Sequence, residues 1–179
     1  MKKEYDFSKG VRGKYAAVIE EGSEMKPVSL KKVADELEMM SEGVAVYINT
    51  KTGHIVAVTD DMEMMLDDDD PPDWAQDILP EVRGALNSDE FISLPDAYEI
   101  HEYALMEDFC YAVQDEALKN KLLDLIRGSG AFRRFKNFID HKGIDKDWYA
   151  YRESALVEMA REFLEENKIP FIDASAGIK

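Results

Sequence analysis

The sequence predicts an α+β fold: a mostly helical domain with a β-hairpin near the N-terminal third. Three observations point to it. Residues 44–49 and 54–59 are β-rich runs split by Thr50-Lys51-Thr52-Gly53, a turn with glycine at the tight position. From Asp96 onward, apolar residues recur at helical spacing between short Gly-containing turns. Finally, 179 residues at 45% apolar content are enough chain for one domain with a real core.

Each element follows from local chemistry. Residues 1–27 alternate Gly, charged and small residues, with Gly10, Gly13, Gly22 and Pro27 as punctuation and strand-like content only at 15–20, so they read as an arm. The main domain is expected over residues 28–168. Ser29 caps a short helix whose Leu30, Val33, Leu37 and Met40 keep helical spacing, and Gly43 ends it. After the hairpin, Pro71-Pro72 stops regular structure. Asp73 then starts a helix carrying Trp74, Ile78 and Leu79, which Pro80 bends or ends. Leu94-Pro95-Asp96 marks the next start, with Asp96 as N-cap. Helices are expected over about 97–113, 115–127, 130–141 and 145–166, and residues 169–179 read as a loosely held tail.

Charge divides the chain more sharply than hydropathy does. The formal net charge is −16, and the pI near 4.5 argues against a protein that coats nucleic acid or binds membranes through a polybasic surface. No Lys or Arg lies between Lys51 and Arg83, an interval that holds ten carboxylates. Eight of them fall in residues 60–73, interleaved with Met62, Met64, Met65 and Leu66. Residues 1–15 are basic, with Lys2, Lys3, Lys9, Arg12 and Lys14 against two acids, and residues 118–142 carry seven basic groups against Asp124 and Asp140. No apolar run approaches the ~20 residues of a membrane span. The N-terminus lacks the apolar stretch of a signal peptide. A single cysteine excludes an internal disulfide framework and a Cys-based zinc site. A cytoplasmic location is expected, with no membrane partner, no metal and no cofactor.

Catalytic signatures are absent: there is no phosphate-binding Walker loop, no nucleophile elbow and no dinucleotide fingerprint. His101-Glu102 has Leu105 where a zinc-binding helix would need its second ligand. Cys110 reads as a core residue. The run at residues 67–70 suits a hard cation chemically, but it lacks the spacing of a calcium loop and reads as solvated.

Two constellations carry more. In residues 130–141, Ala131, Phe132, Phe135, Phe138 and Ile139 form an apolar stripe about 120° wide, with Arg133, Arg134, Lys136 and Asn137 opposite. The preceding Arg127-Gly128-Ser129-Gly130 brings backbone N–H groups to the helix start. Arg127, Gly128, Ser129, Gly130, Arg133, Arg134 and Lys136 therefore form a candidate anion site, beside the plainer reading of a helix–helix turn with a basic face. Glu107 and Arg152 each sit within an apolar stripe, and a lone buried charge is too costly to keep, so the two are expected to pair as a buried structural ion pair. The alternative places Glu107 in a pocket beside Arg133 and Arg134.

Taken together, Leu94-Pro95, Glu99-Ile100-His101-Glu102-Tyr103, Met106-Glu107-Asp108-Phe109, the block Gly128-Ser129-Gly130-Ala131-Phe132-Arg133-Arg134-Phe135-Lys136, and Trp148-Tyr149 resemble a bacterial family, uncharacterised protein family 0158. The resemblance spans about residues 28–168 and implies a compact α+β protein of the bacterial cytosol, with no activity attached. The arm, from Glu4 to Tyr15, is similar to the opening segment of many small bacterial toxin–antitoxin proteins, which suggests a regulatory setting.

These features rank the functions. A non-catalytic regulatory or adaptor protein comes first, binding another protein through its arm and patches, because methionine-rich surfaces adapt to varied partners. A module for phosphate-bearing ligands comes second. Nucleic acid is disfavoured there, since a field of net −16 repels phosphate. A hydrolase or transferase using Glu107 comes last.

Overall fold

The computed structural model describes residues 27–173. Ser29 closes β1 (Val28–Ser29) and caps α1 (Leu30–Glu38), its hydroxyl accepting from the Lys32 N–H at 3.3 Å. Leu30, Val33, Ala34 and Leu37 bury one face of α1. The hairpin forms as expected: β2 (Val44–Asn49) pairs antiparallel with β3 (Ile55–Thr59), and Gly53 takes the left-handed φ of +70°. Asn49, the one buried polar residue among those described, accepts from the Lys51 and Thr52 N–H groups at 2.9 Å each and so fixes the turn.

The acidic stretch opens as a helix, which its carboxylates mask in the sequence. Thr59 caps α2 (Asp60–Met65), and Asp60, Asp61 and Glu63 lie in the first turn, where negative charge complements the helix dipole. Met62 and Leu66 pack inward while residues 67–70 stay exposed. Pro80 does not end a helix. α3 (Asp73–Gln76) stops first, and Pro80 sits in the first turn of α4 (Leu79–Asn87), where a missing N–H costs nothing. Trp74 is 55% exposed.

A third strand, β4 (Phe91–Ser93), completes an antiparallel sheet in the order β3-β2-β4. The helix expected at 97–113 is two helices. The capping box of Asp96 and Glu99 opens α5 (Ala97–Ile100), His101 turns left-handed at φ +48° and ends it, and α6 (Glu102–Ala112) starts there. The break lets Ile100 serve one core while Met106, Phe109 and Cys110 serve another. α7 (Glu116–Leu125), α8 (Ala131–Lys142) and α9 (Asp145–Glu166) follow close to their expected bounds.

Of the tail expected from residue 169, the described residues 169–173 are docked. Lys168 takes φ +56° and the Ile169 N–H donates to the Leu164 carbonyl at 2.8 Å, a helix-ending turn that returns Ile169 to the core at 3% exposure. β5 (Phe171–Ile172) then pairs parallel with β1, and Arg161 reaches Asp173 at 2.7 Å. The arm over residues 1–26 and residues 174–179 lie outside the described residues.

Three apolar clusters result. Val46, Ile48 and Leu94 on one face of the sheet pack on α1 and the C-terminal half of α9; Val56 and Val58 on the other face pack on α4. The third is helical: Phe109, Phe135 and Trp148 meet edge to face, with centroids 5.0 to 6.0 Å apart. The protein is thus a mostly helical α+β structure in which α9 spans two cores. Among the described residues no helix is long and apolar enough to cross a membrane.

Candidate functional site

The expected ion pair does not form. Arg152 is 17% exposed at the junction of α1, α6 and α9, and its Nε donates to Glu102 Oε1 at 2.7 Å while its Nη1 donates to Glu38 Oε1 at 3.2 Å. The reason lies in the break at His101. With the buried face of α6 set by Met106 and Phe109, Glu102 lies about 40° from Met106 around the helix, whereas Glu107 lies about 140° from Glu102. Glu107 is half-buried, and its nearby charge adds to burial in holding the Cys110 proton. Burial is the larger cause and pushes the thiol up to about 11, so fully buried Cys110 is a core residue.

The candidate anion site is brought together only in part. Gly128 and Gly130 both take left-handed conformations, with φ +74° and +75°, and turn α7 into α8. Across that turn the Arg134 guanidinium folds back and donates three hydrogen bonds. Nε reaches the Leu125 carbonyl at 3.0 Å, Nη2 the Arg127 carbonyl at 2.6 Å and Nη1 the Ser129 carbonyl at 2.5 Å. A cation on the orphan carbonyls at the end of a helix satisfies them and complements the dipole. Gly130 is needed for this as well as for its φ, because a Cβ there would stand 3.2 Å from Arg134 Nη1. Arg127 is turned to Asp124 at 3.3 Å. Arg133 and Lys136 remain exposed on α8.

A different site assembles from acids. Where β2 begins and β3 ends, a groove of about 260 Å³ opens between the end of α1, the start of α2 and the start of α5. Val46, Val58 and Leu94 contribute apolar lining, and Glu42, Asp60, Glu63 and Asp96 contribute carboxylates; no Lys, Arg or His lines it. None of the four carboxylates enters an ion pair among the described residues. Local structure holds them in place. The Asp96 carboxylate accepts from the Tyr98 and Glu99 N–H groups at 2.8 and 2.9 Å. Asp60 donates its N–H to the Gly43 carbonyl at 3.1 Å, and its carboxylate lies so near Gly43 that a Cβ there would meet Oδ2 at 3.0 Å.

The groove also offers backbone. β4 pairs with β2 only over residues 47–49 of β2, and the Leu94 N–H adds one bond to the Val46 carbonyl at 2.8 Å before the chain turns into α5. Among the described residues, no strand pairs with Val44 and Ala45 on that side, where the Val44 N–H already donates to the Ser41 carbonyl at 3.2 Å. Tyr98 on the rim is 79% exposed.

The remaining polar groups do not converge. His54 bonds Glu81 on the surface, and among the described residues no group of three or more His, Cys, Asp or Glu side chains is arranged to hold a metal. A second cleft, of about 310 Å³, is mainly apolar and lined by Phe109, Val113, Leu118, Ile144 and Tyr151 with Asp147 at its edge.

With this geometry in hand, comparison with known families gives one result: the model of the Uncharacterised protein family (UPF0158) matches residues 25–176. The chain belongs to that family. The match spans both the groove and the α7–α8 turn of this UPF0158 protein and excludes most of the arm. No curated protein and no solved structure matches the chain.

The sequence missed the groove because its four carboxylates come from three separated stretches. The one legible signal was the long interval without a cation, which supplies Asp60 and Glu63.

Proposed function

We propose that this protein is a non-catalytic regulatory or adaptor protein of the bacterial cytosol, and that its acidic groove receives an extended, basic segment of a protein partner. The observation that carries this reading is the groove itself: four carboxylates with no cation among them, beside half-buried Met40 and Val44 and a length of β2 that lacks a neighbouring strand. Each part suits one feature of such a ligand. Apolar side chains meet half-buried Met40 and Val44, and Lys or Arg side chains meet the carboxylates of the rim. The buried Cys110 thiol and the scattered histidines favour binding over catalysis.

The phosphate-site reading is weakened, because Arg134 spends its donors on three carbonyls and Arg127 faces Asp124.

Fluorescence anisotropy with two labelled peptides, one alternating Lys with Tyr and one alternating Glu with Tyr, tests the proposal on the full-length chain. The Lys peptide is expected to bind, to weaken as salt rises, and to lose about tenfold or more in affinity to the double variant Glu42→Lys, Glu63→Lys. Equal binding of both peptides, or binding unmoved by the double variant, would contradict it.

A further inference from the structure

The chain itself supplies a segment with the chemistry the groove selects. Residues 1–15 carry Lys2, Lys3, Lys9, Arg12 and Lys14 against two acids, interleaved with Tyr5, Phe7, Val11 and Tyr15. We infer that the groove's resident occupant is this segment of the same chain, bound in cis, so that a partner's basic segment must displace it. The inference rests on the reading of the groove as a site for basic peptides and names what fills that site in the absence of a partner.

Reach permits it. From Pro27 to Met40 at the groove, the path comprises a short extended stretch, the nine residues of α1 and a turn. At ~1.5 Å per helical residue and ~3.3 Å per extended residue, this places Pro27 within about 30 Å of the groove. The chain between Lys14 and Pro27 spans up to about 40 Å when extended, so Lys9, Arg12 and Lys14 can all meet the rim. Charge favours the groove over the α8 face. No Lys, Arg or His lines the groove, whereas the exposed α8 face carries Arg133 and Lys136 and would repel the same segment.

Tethering makes even a weak site effective. A segment on a short linker faces its site at an effective concentration on the order of millimolar. A groove with an intrinsic Kd of about 0.1 mM would then be roughly nine-tenths filled in cis, and peptide added in trans would bind about tenfold more weakly than to an open groove.

The test compares the full-length chain with a full-length variant carrying Lys9→Glu, Arg12→Glu and Lys14→Glu, each titrated with a labelled synthetic peptide of residues 1–15. The triple variant is expected to bind the peptide about tenfold more tightly than the native chain does, and to lose that binding when Glu42→Lys and Glu63→Lys are added. Equal affinity for the native chain and the triple variant would overturn cis occupancy while leaving the groove a peptide site. Failure of this peptide to bind either chain, with the Lys–Tyr peptide still bound, would also overturn it. A second readout uses a spin label on Ser8→Cys, which is selective because Cys110 is buried. Amide signals of Gly43, Val44 and Tyr98 are expected to broaden and to recover near 1 M salt, where the screening length falls to about 3 Å. Broadening centred elsewhere would contradict the inference.

Discussion

The turn between α7 and α8 and the groove at the end of the sheet are both concentrations of one sign of charge, yet they use it in opposite ways. At the turn, the cations are answered from within: Arg134 binds three backbone carbonyls and Arg127 faces Asp124. At the groove, four carboxylates stand without a cation among the described residues. A run of charge in a sequence therefore names a surface but not its purpose. What decides is whether the fold supplies the counter-groups, and among the described residues it supplies them to the bases and not to these acids.

That contrast can be broken or sharpened by substitution. The largest effect is expected at Arg152, where Glu102 and Glu38 answer a mostly buried cation. Arg152→Met should cost about 2 kcal/mol in a urea melt. This is less than the ~3–5 of a fully buried pair, because both carboxylates keep contact with water. Next, Glu42→Lys with Glu63→Lys should weaken the basic peptide about tenfold and cost up to about 1.5 kcal/mol in the melt, the stabilisation that a nine-tenths filled groove contributes. Arg134→Met should lower stability by about 1 kcal/mol through the three carbonyls it releases, without affecting peptide affinity. Arg133→Met, on an exposed side chain without such bonds, should shift the melt by less than about 0.5 kcal/mol. If Arg133→Met cost as much as Arg134→Met, the turn would not be the self-satisfied device described here.

A pH titration reads the helical core by itself. The native fold holds the Cys110 proton up to about 11, above the ordinary thiol value of 9.0. Between those values the native state binds more protons than the unfolded chain does. Stability is therefore fully present below about 9 and falls as pH rises toward 11. Cys110→Ala should remove that thiol-linked fall, checked by urea melts at pH 8 and pH 10.5.

The sequence made some of this legible and hid the rest for physical reasons. Hairpin, capped α1 and the long α9 announce themselves through turn chemistry and periodicity, which are local. β4 escaped because three residues, Phe91 to Ser93, carry too short a pattern, and their strand character comes from pairing with β2. The break at His101 escaped because Asp96 begins a helix convincingly and no proline or glycine announces its end; the two cores it serves are a tertiary fact. That break also misdirected the expected ion pair. The need of Arg152 for a carboxylate was legible, but Glu102 rather than Glu107 faces it once the helix restarts. Ile169 read as tail because its anchoring contacts lie across the domain in α1 and β1. At the candidate anion site the Gly-Ser-Gly turn was read correctly, whereas the use of Arg134 as its clamp depends on a nine-residue reach back to Leu125.

One measurement bears on the whole contrast: backbone amide NMR of the full-length chain during titration with the Lys–Tyr peptide. The account predicts shifts concentrated at Gly43, Val44, Ala45, Asp60 and Tyr98, with the amides from Gly128 to Arg134 unmoved. Shifts centred on the α7–α8 turn, or none at the groove up to millimolar peptide, would contradict it.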